Sequence, residues 1–136
     1  MSVHVDKNVI SVYSPKAAFQ GGKASPADRL ASVIMEIMAY IMDHQKLSRA
    51  SILNDLSFPE SGDNSDLAWM GLKDTLARIL NHDTTKNEKF AVWSVIGSIH
   101  EAFLRPDVFR ARNGLALENE KDRLSFAKYL AGILIK

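Results

Sequence analysis

The sequence predicts an all-α protein: a single compact bundle of about five helices, preceded by a weakly structured N-terminal arm. Apolar residues recur at the i, i+3, i+4 spacing of one helical face through most of residues 25–136. Helix-capping patterns stand at the starts of these segments. The length of 136 residues, with 46% hydrophobic and 24% charged residues, is that of one globular domain. We therefore assign residues 1–24 to the arm and residues 25–136 to one helical domain.

The arm has only short apolar runs, at residues 3–5 and 9–13. No second β segment is available to pair with them. Pro15 and the Gly21-Gly22 pair interrupt regular structure. We expect residues 1–24 either to pack onto the helical domain late in folding or to bind a partner. Whether they are flexible is left open.

After the arm, the sequence predicts two helices that meet at a steep angle. The first is predicted over residues 26–44, with Ser25 as its N-cap and proline at its first position. It is apolar on more than one side, which is typical of a central helix. A tight turn at residues 45–48 then leads to a short helix over residues 49–56, with Ser48 as its cap.

The third and fourth helices come after a polar loop at residues 58–64. The third is predicted over residues 65–80. Thr85 and Glu88 form the capping-box pattern of the fourth, which Pro106 ends. We assign Phe90 and Trp93 to its buried side. A glycine inside a helix destabilises it by about 1 kcal/mol, so Gly97 predicts close packing of a neighbouring helix.

The C-terminal part begins with a short helical turn over residues 107–112. Asn113-Gly114 is expected to stop it in a left-handed conformation. The last helix is capped near Asn119, and its predicted core face includes Leu124 and Leu130.

Catalytic and metal-binding patterns are missing from the sequence. There is no cysteine, and each of the four histidines is alone in its segment. No serine lies in a Gly-x-Ser-x-Gly elbow, and no glycine-rich phosphate loop is present. We predict that the protein is not an enzyme and uses no metal and no cofactor. No apolar run reaches the 18 residues of a membrane span, and the absence of cysteine suits a reducing compartment, so we expect a cytoplasmic protein without membrane contact.

Charge is distributed unevenly although the net charge is +1. Residues 57–85 carry two basic and five acidic side chains, and residues 86–136 carry nine and six. The basic part includes Arg105, Phe109, Arg110 and Arg112, which we predict as a partner-binding cluster. The acidic stretch at 57–85 is a second candidate patch, because opposite charges steer association.

A helix–turn–helix interpretation of residues 26–56 is the alternative. Lys46, Arg49, Ser51 and Asn54 would then contact DNA. One arginine in the candidate helix and a turn without glycine make nucleic acid the less favoured partner.

Residues 30–80 also carry a family resemblance. The pattern is Leu30-x-x-Val33-Ile34-x-Glu36-Ile37, then Leu47-Ser48-Arg49-x-Ser51-Ile52 with Leu56, and the helix at 72–80. It resembles the small enterobacterial biofilm-modulation and two-component connector proteins. The resemblance implies a small helical regulator, dimeric in some members, that acts by contacting other regulators.

These observations favour a non-catalytic bacterial regulatory or adaptor protein that acts by protein–protein binding. An immunity protein or antitoxin that neutralises a cognate toxin is one alternative, and a DNA-binding regulator is another. A small helical hydrolase is the least favoured, because no site for it is identified. The identity of the protein partner and a homodimeric state are left open.

Overall fold

The computed structural model describes residues 24–135, and within that range it contains six helices and no strand. The all-α prediction is confirmed. The predicted short turn after Pro106 is the additional helix. Most of the predicted arm, residues 1–23, lies outside the described residues. The helices are α1 Pro26–Asp43, α2 Gln45–Ser57, α3 Asn64–Leu80, α4 Lys86–Leu104, α5 Pro106–Asn113 and α6 Glu120–Leu134.

Side-chain caps set several helix starts. Ser25 Oγ accepts a hydrogen bond from Asp28 N at 3.1 Å at the start of α1. At α4, Glu88 N donates to Thr85 Oγ1 at 3.2 Å and Thr85 N donates to Glu88 Oε1 at 2.8 Å, which completes the predicted capping box. Asn119 Oδ1 accepts from the first amides of α6. Each cap satisfies amides that have no partner inside the helix.

The hydrophobic core lies between α1, α3, α4 and α6. The packing of α1 against α6 is the most extensive, and α4 contacts both α3 and α6. Core side chains that are almost fully inaccessible come from all four helices: Leu30, Ile34, Met38, Leu72, Leu76, Val92, Val95, Ile99 and Leu130. As predicted, α1 is central and contacts α2, α3 and α6, but its buried residues lie on one broad face, and Met35 and Tyr40 beside that face are half-buried.

The junction between α1 and α2 differs from the prediction. The break is His44 alone, with φ −131° and ψ 45°, and α2 begins at once at Gln45. Ser48 is therefore not a cap but a buried residue inside the helix, whose amide donates to His44 O at 2.8 Å. The predicted turn at residues 45–48 was wrong because one residue suffices to change the helix direction.

The buried face of α4 also differs. Phe90 and Trp93 are 61% and 72% exposed, while Val92, Val95, Ile96, Ile99 and Ala102 are buried. A methyl group at Gly97 would meet no atom within 4 Å, so no neighbouring helix approaches there. Leu124 on α6 is 39% exposed, and Phe126 is buried in its place. A helix with two apolar sides buries only the side that other helices cover.

Candidate functional site

A groove of about 600 Å³ opens between the end of α2, the loop that follows it, the first turns of α3 and the outer side of α4. We call it the acidic groove. Its apolar lining is Leu56, Pro59, Trp69, Trp93, Ile96, Gly97 and Leu104. Its ionisable lining is Asp55, Glu60, Asp63, Asp66, His100 and Glu101. This volume is in the usual range of ligand pockets, about 300–1,000 Å³.

The two tryptophans of the chain both line this groove. Trp69 is half-buried, and its Nε1 donates to Lys89 O at 3.4 Å, which orients the ring from α3 towards α4. Trp93 projects from α4 with 72% of its surface exposed. Leu56, at 68% exposure, stands on the α2 side. Large apolar side chains therefore remain uncovered on two of the elements that form the groove.

Gly97 leaves room beside Trp93. The two residues are one turn apart on α4, and the space over the glycine is open. Because Gly97 has no side chain, a group that enters the groove can approach the α4 backbone there.

The acidic wall is built by the start of α3. Asp63 is the N-cap, and its Oδ1 accepts from Asp66 N at 2.9 Å. Asp66 Oδ2 accepts from Gly62 N at 2.7 Å. Carboxylates are favoured at a helix N-terminus, where unpaired amides carry partial positive charge. These two acidic residues therefore stabilise the loop and the helix as well as line the groove.

Asp55 joins α2 to this wall. It is 7% exposed, and its Oδ2 accepts from Ser65 N at 2.9 Å and from Ser65 Oγ at 2.8 Å. The carboxylate thus bonds directly to the serine.

His100 is the one basic side chain among the described residues that line the groove. Burial lowers the pKa of His100 below its usual 6.5, and the negative charge of Asp55 offsets part of this effect. A neutral imidazole therefore predominates at neutral pH, so the acidic side chains set the charge of the groove.

The predicted arginine cluster is divided by the structure. Phe109 faces inward and packs on Phe126 with ring centroids 4.9 Å apart. Arg105 Nη1 bonds to Glu101 Oε1 at 2.7 Å at the edge of the acidic groove. Arg110 and Arg112 are exposed in the last turn of α5. The arginines and the phenylalanine do not share one exposed surface.

The predicted DNA-contacting residues also point different ways. Ser51 is buried, and its hydroxyl accepts from Asn64 Nδ2 at 3.0 Å. Arg49 Nη1 donates to Leu104 O at 2.7 Å, at the end of α4. Lys46 is exposed and Asn54 is half-buried. Since Ser51 and Arg49 hold helices together, the arrangement disfavours base reading by these four residues.

The two other histidines of the described residues make local contacts. His44 stacks on Tyr40 with ring centroids 4.1 Å apart. His82 Nδ1 bonds to Asp83 O at 2.8 Å. Across the described residues, no three histidine or acidic side chains are grouped to hold a metal ion. In the same part of the chain, no helix combines the length and hydropathy needed to cross a bilayer.

Sequence reasoning missed the acidic groove, although it named the acidic stretch. The sequence pattern that could have predicted the groove is on α4. Phe90, Trp93 and Gly97 stand there at i, i+3 and i+7, on a different side of the helix from its aliphatic residues. Two apolar sides on one helix predict that one of them stays uncovered unless another element packs on it.

Comparisons with protein-family models, with curated proteins and with solved structures find no significant match to this chain. The resemblance of residues 30–80 to connector proteins stays a prediction.

Proposed function

We propose that this protein is a non-catalytic regulator or adaptor that binds another protein in the acidic groove. The observation that carries the proposal is the exposure of Trp93 and Leu56 at its edges, 72% and 68%. Tryptophan is enriched among the few interface residues that dominate binding energy. Fully burying a large apolar side chain contributes about 1.5–3 kcal/mol of hydrophobic free energy, from which the costs of association are subtracted.

The polar lining supports binding over catalysis. A Ser-His-Asp hydrolase needs the imidazole between the hydroxyl and the carboxylate. Here Ser65 Oγ donates directly to Asp55 at 2.8 Å, with no imidazole between the two groups. The hydroxyl is oriented away from the role of nucleophile, and its hydrogen bond instead links α2 to α3.

The proposal also includes a biological setting for the protein, the bacterial cytoplasm. A cytoplasmic bacterial regulator agrees with a cysteine-free helical chain and with the resemblance of residues 30–80 to connector proteins. The acidic lining of the groove also favours the alternative of an immunity protein or antitoxin, since a basic toxin surface complements it.

Affinity capture tests the proposal. The tagged protein and its Leu56→Ser/Trp93→Ala variant are used as baits in an extract of the source cells. Tyr129→Ala is the matched control, because Tyr129 is 68% exposed on α6 and is not part of the groove lining.

We expect a partner that the wild type and the Tyr129→Ala variant retain at moderate salt and that the groove variant loses. Retention of the same proteins by all three baits would overturn the proposal.

A further inference from the structure

We infer that the occupant of the acidic groove is a cationic amphipathic segment of the partner protein, with an aliphatic or aromatic residue flanked by lysine or arginine. This inference rests on the proposed function and specifies its ligand. It follows from the charge of the lining, the shape of the apolar floor and an intramolecular pair at the edge.

The charge of the lining is one-sided. Five carboxylates contribute to it, and among the described residues no lysine or arginine does: Asp55, Glu60, Asp63, Asp66 and Glu101. Burial keeps His100 mainly neutral because it lowers the pKa of the imidazole. A phosphate-bearing ligand would be repelled, whereas a basic segment is attracted to this field.

The apolar floor suits a side chain rather than a flat surface. Trp69 lies on α3 and Trp93 on α4, and the space over Gly97 is open. An anchor residue inserted there would be covered by both indoles and by Leu56. Anchors in such pockets dominate the energy of short-segment recognition.

The edge already binds a guanidinium group. Arg105 Nη1 lies 2.7 Å from Glu101 Oε1, and both side chains are more than half exposed. An exposed pair of this kind contributes only about 0–1 kcal/mol, so a basic residue of an incoming segment can replace Arg105.

A second copy of the chain fits less well. Among the described residues, its basic segment is at 105–112, but Phe109, the aromatic residue within it, packs on Phe126 in the core. Insertion of that anchor into another molecule would require α5 to leave its own fold. A segment from a different protein requires no such rearrangement.

The test uses three synthetic 14-residue helical peptides without tryptophan. The first places leucine and phenylalanine anchors at i, i+3, i+4 and i+7 with lysine between them, the second replaces every lysine by glutamate, and the third keeps lysine but replaces the anchors by serine. Because both tryptophans of the chain line the groove, intrinsic emission reports occupancy directly.

We expect the first peptide alone to shift the emission to shorter wavelength, with a Kd that rises with salt. Glu60→Lys/Glu101→Lys should raise that Kd at least tenfold, since both carboxylates are exposed at the rim. The charge-matched control is Asp43→Lys/Asp83→Lys, which changes two exposed acidic residues outside the groove and should leave the Kd within twofold.

Equal binding of the glutamate peptide, or no binding of any peptide, would overturn the inference. Either result leaves the proposed function standing if affinity capture still depends on Leu56 and Trp93. Sedimentation of the protein alone adds a further outcome: a dimer that Trp93→Ala dissociates would assign the groove to a second copy and also overturn the inference.

Discussion

Replacement of Asp55 tests how the acidic groove is held together. This residue is 7% exposed, and its carboxylate receives both the amide and the hydroxyl of Ser65 in the first turn of α3. Asp55→Ala removes the acceptor from both donors and leaves the hydrogen bond from Asn64 to Ser51 to link α2 with α3. Ser65→Ala removes only the hydroxyl and leaves the amide bonded to Asp55.

The expected loss of stability follows from these contacts. A hydrogen bond to a charged group contributes about 1.5–3 kcal/mol. Ser65 is half-buried, so water reaches the freed donors and reduces the loss. We expect Asp55→Ala to lower the free energy of unfolding by about 3 kcal/mol and Ser65→Ala by about 1 kcal/mol. Asp55→Asn should lie between them, because its amide oxygen still accepts from Ser65.

Urea unfolding followed by far-UV circular dichroism measures these differences. A wild-type-like midpoint for Asp55→Ala would refute the reasoning. An equal loss in the two alanine variants would also refute it, because the backbone hydrogen bond would then contribute nothing.

Three further predictions concern other residues. The pKa of folded His100 is lowered by burial while that of the unfolded chain stays near 6.5, so the unfolded state takes up its proton first as pH falls. The free energy of unfolding should therefore decline below about pH 6.5 and level off, as far as His100 contributes, below the folded pKa. In a urea series across pH, His100→Gln should lose this component and His82→Gln should keep it; equal profiles would contradict the assignment. Gly97→Ala should raise stability by about 0.5–1 kcal/mol, because the site is helical and open; a lower melting temperature would indicate close packing after all. Thr85→Ala should lower stability by about 1 kcal/mol through loss of the capping box, and an unchanged urea midpoint would be inconsistent with that role.

Features encoded within a few residues could be predicted from the sequence. The caps at Ser25, Thr85 and Asn119 depend on side chains next to the amides that they bind, so their positions were correct. The left-handed Gly114 at the end of α5 was found for the same reason. Ser48 shows the limit of a local signal. It resembles a cap, but the break one turn earlier, at His44, has no comparable pattern.

Features that depend on distant contacts could not be predicted. Arg49 bonds to Leu104, 55 residues away, and Ser51 bonds to Asn64. Neither contact is visible in the pattern that suggested a DNA-reading helix. The acidic groove brings together residues 55–69 and 93–104, so it exists only after α4 has packed beside α3. The sequence showed the acidic stretch and the apolar residues of α4 but not which side of that helix other elements cover.

Site-specific photocrosslinking tests the central claim, that the acidic groove is a protein-docking surface. A benzophenone amino acid replaces Ser61, an exposed residue of the groove lining, so that Trp93 and Leu56 both stay in place; Tyr129, exposed on α6, is the control position. After irradiation of the source cells, we predict a discrete crosslinked partner at position 61 and none at position 129. No adduct at position 61, or the same adducts at both positions, would contradict the account.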